Sequence, residues 1–181
     1  MKKLFALILF SALAFASIFG WNYLKLQKPL NETMNGDPRN QGINISAHYK
    51  NYVQPSTLLL NVKSIDTEKS FADVFRAFLQ YASHLKEEQF ESVILQSQGK
   101  NKFMLEGKYF KQLGQEYGDQ NPVFTIRTFP ENVYTMDNQK AFPERKGGWL
   151  IVSMKQMEDF AQFHKRWYAE DIEGLDLSSM E

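Results

Sequence analysis

Hydrophobic and polar residues recur with a helical period between Ser70 and Leu85. The large apolar side chains are three or four residues apart, which is the spacing of one face of a helix, and polar residues occupy the opposite face. Asp66 and Thr67 supply a start signal, because their side chains can cap the first amides of a helix. The pattern therefore predicts an amphipathic helix. Its apolar positions are Phe71, Val74, Phe75, Phe78, Leu79 and Leu85.

Two short apolar runs flank this helix, Leu58 to Val62 before it and Val93 to Leu95 after it. Each is short enough to be a strand, and a strand, a helix and a second strand within about 40 residues form the pattern of a βαβ unit. Alternating apolar and polar positions from Ile43 to Tyr49 predict one more half-buried strand. These elements give the chain a core.

The next segment predicts another strand, a second helix and a third strand. Residues 103–105 return as a strand from a turn at Gly99, Gly107 to Tyr117 has a helical period, and Val123 to Phe129 follows as an extended segment. The order β-α-β-β-α-β predicts an α+β domain with a ferredoxin-like antiparallel sheet and two helices on one face. A three-layer α/β sheet is the alternative, because periodicity does not define strand order.

Beyond Pro130 the chain is expected to add a hairpin and a long helix. Residues 132–135 and 140–142 pair across a turn in the hairpin, and the helix extends from about Trp149 to Ala169. Residues 171–181 form an acidic tail. The predicted apolar face of the last helix consists of Leu150, Met154, Met157, Phe160, Ala161, His164, Trp167 and Tyr168.

The N-terminal segment, residues 1–24, is typical of export and membrane insertion. Lys2 and Lys3 precede an apolar run that contains no charge until Lys25. Basic residues at the start of such a run stay in the cytoplasm, so the sequence predicts that the following domain lies outside it, in the cell envelope.

Two interpretations of this segment remain open. Residues 14–16, Ala-Phe-Ala, have the small-x-small form of a signal-peptidase site, and cleavage there would release a soluble chain that begins at Ser17. The run from Leu4 to Leu24 is also long enough to span a bilayer, with Trp21 and Tyr23 as aromatic anchors at the far interface. An uncleaved, single-pass anchor is favoured, because the apolar character continues past the cleavage site.

The predicted domain organisation follows from these segments. Residues 25–40 contain two prolines, a glycine and several asparagines with little apolar periodicity, which predicts a linker. Residues 41–170 are expected to form a single α+β domain. The acidic tail then ends the chain.

Composition excludes several classes of function. Removing Lys2 and Lys3 from the 21 basic residues leaves 19 against 21 acidic residues, which argues against nucleic-acid binding. The chain has no cysteine, so disulfides, thiol catalysis and cysteine-ligated zinc are excluded. Its three histidines, His48, His84 and His164, have no spacing typical of a metal site. No metal ion and no cofactor are therefore expected.

One candidate binding site is the stretch that precedes the last helix. Arg145 and Lys146 are followed by two glycines, Gly147 and Gly148, and by Trp149. Exposed backbone N–H groups and two positive charges suit a carboxylate or phosphate. The favoured alternative is that the glycines form only a tight turn and that Trp149 packs on the core.

A second candidate is centred on Arg127, at the end of what is predicted to be an inner strand. A buried arginine must reach a carboxylate or solvent, because an unpaired buried charge is costly. Glu131, Glu144 or Glu106 are possible partners, and pairing with one of them would make Arg127 structural. Alternatively, Arg127 faces a cleft that Tyr134 helps to line and binds an anion there.

The leading functional hypothesis is a binding or assembly module outside the cytoplasm, held at the membrane and in contact with a protein partner of the envelope. Its catalytic residues, if any, are unknown, and no recognisable nucleophile–base set is present. The competing hypothesis is a small hydrolase or transferase for an anionic substrate. It would use Arg127, Arg145 and Lys146 for charge and Glu131 or Glu144 as general base. A third hypothesis is docking through an exposed aromatic strip on the last helix.

Overall fold

The computed structural model describes residues 2–172. Five strands form one sheet in the order β1-β2-β3-β4-β5. β2 and β3 pair in parallel, and the other neighbouring strands pair antiparallel. The strands are Ile43–Lys50 (β1), Gln54–Ile65 (β2), Ser92–Ser97 (β3), Lys100–Glu106 (β4) and Val133–Tyr134 (β5).

Six α-helices accompany the sheet within the described residues. Two π-helical turns, Tyr23–Gln27 and Lys165–Ala169, follow the first and the last of them, and two short 3-10 turns are Pro38–Asn40 and Phe129–Asn132. The helices are Lys2–Asn22 (α1), Lys28–Gly36 (α2), Phe71–His84 (α3), Gly107–Glu116 (α4), Pro122–Thr128 (α5) and Trp149–His164 (α6).

The predicted α+β class is confirmed, and the βαβ unit is β2-α3-β3. The ferredoxin-like arrangement is not confirmed, because β2 and β3 pair directly with each other and form one parallel pair in a mixed sheet. Alternate residues of β2, Leu58, Leu60 and Val62, join a single core together with the helices. The core therefore lies on one face of the sheet.

The predicted amphipathic helix is confirmed as α3, but its start differs from the prediction. Ser70, not Asp66 or Thr67, caps the helix in a capping box with Asp73. The Ser70 hydroxyl accepts from the Asp73 N–H at 3.2 Å, and the Ser70 N–H donates to the Asp73 carboxylate at 3.0 Å. Before the cap, the Lys69 N–H bonds to the Asp66 carbonyl in a turn, which delays the helix. Phe71, Val74, Phe75 and Phe78 are buried as expected.

The segment predicted as a third strand, Val123 to Phe129, is instead mostly the helix α5. Asn121 caps this helix by accepting from the Val123 N–H at 2.9 Å, and Pro122 occupies its first turn. A proline in the first helical turn loses no hydrogen bond, so the Asn-Pro pair begins a helix here rather than an extended segment. As a result, Arg127 lies on a helix and not at the end of an inner strand.

Residues 25–40, expected to be a linker, are helical over most of their length and pack on the domain. Leu26 and Leu30 are fully buried in the core. The π-helical turn precedes Pro29, whose ring cannot continue regular α-helical hydrogen bonding. Lys3–Gly36 is one helix, long and apolar enough to cross a membrane, and its most apolar window is not buried in the protein. The N-terminal helix therefore enters the domain without a flexible spacer.

The C-terminal hairpin and helix are present as predicted. The Thr135 N–H bonds to the Gln139 carbonyl at 2.8 Å, and the Ala141 N–H bonds to the Val133 carbonyl at 2.9 Å. α6 starts at Trp149, but only its second half is buried. The acidic tail from residue 173 onward lies outside the described residues.

Candidate functional site

A groove of about 890 Å³ lies between α5, α6 and the first turn of α3. Its walls are mainly apolar, and one cation, Arg127, lies at its side. Ser70, Ser153 and Glu158 add polar groups to its lining. The apolar lining includes Phe71, Val123, Ile126, Trp149, Met154 and Met157. We call this feature the α5–α6 groove.

Exposed apolar side chains extend beyond this groove along the first two turns of α6. Trp149 is 73% exposed, Leu150 62% and Met154 59%, and Phe124 on α5 is 51% exposed. The helix starts outside the core, and from Gln156 onward its inward side chains are buried. Contiguous apolar surface of several hundred Å² is typical of an interaction site.

A network of polar side chains links Arg127, which lines the groove, to α6 and to the segment before α6. Arg127 donates through Nε to Gln156 at 3.0 Å, and the Gln156 amide donates to Glu131 at 2.8 Å. Glu131 also accepts from the backbone N–H of Arg145 at 3.3 Å. The Arg145 guanidinium donates two hydrogen bonds to Asp159, at 2.6 and 2.7 Å. This bidentate hydrogen bonding raises the pKa of Arg145.

The network brings three of the predicted site residues together, Arg127, Glu131 and Arg145. Their polar groups are directed at one another and at α6, so the network ties the segment before α6 to the helix itself. Of the partners expected for Arg127, Glu131 is in the same network but is bridged to it by Gln156 rather than bonded directly.

The remaining predicted site residues lie elsewhere. Lys146 is largely exposed and pairs at 3.4 Å with Glu144, which is also exposed. Tyr134 is on the edge strand β5, where its hydroxyl donates to Glu106 at 3.2 Å and its ring packs under Lys140. The charged residues named for an anionic substrate therefore do not converge in one concave pocket.

The glycines before α6 form a bend. Gly147 has a φ of +134°, a conformation that side-chain-bearing residues rarely adopt, whereas Gly148 is extended. The positive φ of Gly147 accounts for a glycine at this position without an anion. Trp149, however, projects into the groove region instead of packing on the core.

The sequence pattern placed Leu150, Met154 and Met157 on one apolar face with Phe160 and His164, but the first three are exposed and the last two are buried. The sequence nevertheless indicated that part of this helix would be exposed. Residues 149–152 are four consecutive apolar residues, and at 100° per residue they surround the helix, so they cannot all face one core.

A second cavity of about 410 Å³ lies between α3, α4 and α5, with Arg39 and Arg76 at its rim and an apolar floor. Both guanidinium groups are already paired, Arg39 with Asp37 at 2.6 Å and Arg76 with Asp73 at 2.7 Å. Hydrogen bonds from Arg39 and Gln80 lower the pKa of Asp37, so its charge is maintained. The positive charge at this rim is therefore offset by neighbouring carboxylates.

Within residues 2–172, no group of three or more histidine, aspartate or glutamate side chains is placed to hold a metal ion. Comparisons with protein-family models, with curated proteins and with solved structures find no match to this chain. The site is therefore interpreted from its geometry alone.

Proposed function

We propose that this protein is a membrane-anchored binding module outside the cytoplasm, and that its α5–α6 groove docks a helix of another envelope protein. The observation that carries the proposal is the unpartnered apolar surface formed by α5 and the start of α6. Trp149, Met154 and Met157 are the kinds of side chain that anchor interfaces, because they offer a large aromatic ring and adaptable thioethers.

The membrane anchor is supported by α1. Most of its apolar side chains are exposed. The sequence contains no charged residue between Lys3 and Lys25. Lys2 and Lys3 favour a cytoplasmic N-terminus, which places the domain on the opposite side of the bilayer. The helix continues into the core at Leu26 and Leu30, so the same helix that binds lipid also holds the domain.

The position of the groove favours a protein over the bilayer as its occupant. The end of α3 contacts the anchor helix, because Tyr81 donates to the Leu26 carbonyl at 3.0 Å and Lys25 pairs with Glu88 at 3.1 Å. The groove instead lies at the start of α3, beside Ser70 and Phe71. Since α3 is 14 residues long, about 20 Å separate the two ends. The groove thus lies about 20 Å from the point where the anchor helix contacts α3.

A helix is the partner that best fits the lining. The groove lies between two helices, whose ridges accept a third helix by ridges-into-grooves packing. The alternative function, a hydrolase or transferase for an anionic substrate, has less support, because Arg145 and Lys146 are paired with Asp159 and Glu144.

Site-specific photocrosslinking in native envelopes tests this proposal. A photoreactive amino acid replaces Met154 in the groove of the full-length protein and, as the matched control, the exposed Lys108 on α4. The expected result is one discrete protein adduct at Met154 that is absent at Lys108. The crosslinked segment, made as a peptide, should bind the purified protein, become helical and bind several-fold more weakly to Trp149→Ala than to Lys108→Ala.

Three outcomes contradict the docking proposal. An adduct to a second copy of this chain would make the groove a self-association surface, and an adduct to lipid would place it at the bilayer. Absence of any adduct specific to Met154 would refute an occupied groove. Independently, proteolysis of intact spheroplasts should remove the domain from outside, and survival of the domain would contradict the proposed location.

A further inference from the structure

The turn between β1 and β2 lies directly against the anchor helix. The ring of Tyr52, in this turn, packs on Phe19 of α1 with a centroid distance of 4.9 Å, and it stacks on His48 at 4.5 Å. Val53, next in the turn, is 60% exposed. The turn therefore lies beside Phe19, at the same height along the axis of α1.

The length of α1 gives the depth of Phe19, and of the turn beside it, in a bilayer. Its 21 residues span about 31 Å at 1.5 Å per residue, which matches a hydrocarbon core of about 30 Å. With Lys2 and Lys3 at the cytoplasmic edge, the outer edge of the hydrocarbon falls near Asn22. Phe19 is about one helical turn inside that edge, so a ring in contact with Phe19 cannot lie far from lipid.

We infer that Tyr52 and Val53 insert into the outer interface of the bilayer, so that the domain rests directly on the membrane surface. This inference rests on the proposed function, since it requires that α1 is retained as an anchor. It goes further than anchoring, because it assigns a second lipid contact to the folded domain and excludes a spacer between the domain and the bilayer.

The local structure of the turn agrees with this assignment. Asn51 and Tyr52 have φ angles of +51° and +62°, and this left-handed conformation is unfavourable for a bulky residue such as tyrosine. Ring contacts on both sides hold Tyr52 in place. Tyrosine and tryptophan are also the residues enriched at membrane interfaces, and Trp21 of α1 is exposed beside the turn.

The bilayer is the occupant that fits because the turn continues the lipid-facing surface of α1. A shallow, mainly apolar depression of about 340 Å³ joins the two elements. Its lining includes Ile18 and Trp21 from the helix and Tyr52, Val53 and Pro55 from the turn and β2. Lipid that surrounds the helix at this depth necessarily reaches the turn.

The absence of cysteine from the chain permits a direct test with single-cysteine variants. Val53→Cys reports on the turn, Phe10→Cys on the middle of α1, and Glu68→Cys on an exposed site near the start of α3. Each full-length variant carries a polarity-sensitive fluorophore and is reconstituted in phosphatidylcholine vesicles. Quenching is measured with lipids that carry a nitroxide at a shallow or a deep position.

The expected result is strong quenching at Phe10→Cys, with the deep nitroxide more effective, and strong quenching at Val53→Cys, with the shallow nitroxide several-fold more effective. Glu68→Cys should not be quenched by either lipid. If Phe10→Cys is quenched while Val53→Cys behaves like Glu68→Cys, the inference is overturned but the anchor stands. If Phe10→Cys is not quenched, α1 is no anchor and both the inference and that part of the proposed function are wrong.

Discussion

The side-chain oxygen of Asn22 accepts a hydrogen bond from the backbone N–H of Tyr49 at 2.8 Å, which joins the last residue of α1 to β1. The side-chain nitrogen of Asn22 donates to the Tyr52 carbonyl, also at 2.8 Å. Asn22 is almost fully buried. A polar residue at the end of an apolar helix thus satisfies two backbone groups of the adjacent hairpin and fixes the helix to the sheet.

We expect Asn22→Leu to destabilise the domain by about 1–3 kcal/mol, because it leaves the buried Tyr49 N–H without a partner. Urea unfolding of the full-length protein in detergent, followed by tryptophan fluorescence, measures the change. Asn35→Leu is the matched control, since Asn35 is exposed on α2. Equal midpoints for the two variants would show that the Asn22 hydrogen bonds do not stabilise the junction.

Truncation of Phe75 should be among the most damaging core substitutions. Its ring is 2% exposed and packs edge-on against Phe129 and Phe160, at 4.8 and 5.1 Å. We expect Phe75→Ala to cost about 3–5 kcal/mol through lost burial and a cavity. Phe124→Ala on exposed α5 should change the unfolding midpoint little. A cooperative Phe75→Ala protein with an unchanged midpoint would contradict the structure of this core.

Gly114 allows α3 and α4 to approach closely. A Cβ at this position would lie 2.2 Å from the Ala82 carbonyl oxygen, so the two backbones must move apart to accept it. We therefore expect Gly114→Ala to lower the melting temperature, although alanine normally stabilises a helix relative to glycine. Gly36→Ala on α2 meets no atom within 4 Å and should be neutral or stabilising. A stabilised Gly114→Ala variant would rule out this close helix contact.

Burial of His164 predicts a pH dependence of stability. Desolvation in the core lowers the pKa of His164 below 6.5, whereas the unfolded chain binds a proton near that value. Below about pH 6.5 the unfolded state therefore binds more protons than the folded state, and the free energy of unfolding falls as the pH falls. Above that pH, His164 contributes no pH dependence. Its Nδ1 lies 3.1 Å from the Tyr168 hydroxyl, and burial raises the pKa of that hydroxyl, which stays protonated.

Chemical denaturation between about pH 7.5 and pH 5.5 tests this prediction. His164→Gln should lose stability less steeply than the wild type over this range, whatever its stability at neutral pH. His48 and His84 are present in both proteins and cancel in the comparison. Parallel stability curves for the two proteins would mean that the pKa of His164 is the same in the folded and the unfolded state, which would contradict the prediction.

The sequence by itself was sufficient for α3 and for the strands on either side of it. The apolar period of Phe71, Val74, Phe75 and Phe78 reports a local backbone geometry, and the flanking apolar runs are too short for helices. The uncharged N-terminal run was likewise visible, because membrane-spanning potential depends on length and hydrophobicity alone. Each of these features is a property of one contiguous segment.

Other features were decided only by the tertiary structure. Pro29 and Pro122 suggested an irregular linker and an extended strand, yet both lie in first turns of helices. Leu26 and Leu30 show too little periodicity to predict a helix, and their burial comes from contact with a sheet and a helix distant in sequence. The local signal at such sites is weak, and long-range packing selects the conformation.

The candidate groove illustrates the same limit. Met154 and Phe160 belong to one apolar stripe in the sequence, but the first is exposed and the second is buried. Periodicity identifies which side chains share a face of a helix and carries no information on where the neighbouring elements end. Because the core stops near Gln156, the turns of α6 before it are left uncovered. The sequence determined the amphipathic segments, whereas only the packing of those segments against each other decided which apolar side chains form the core and which form a binding surface.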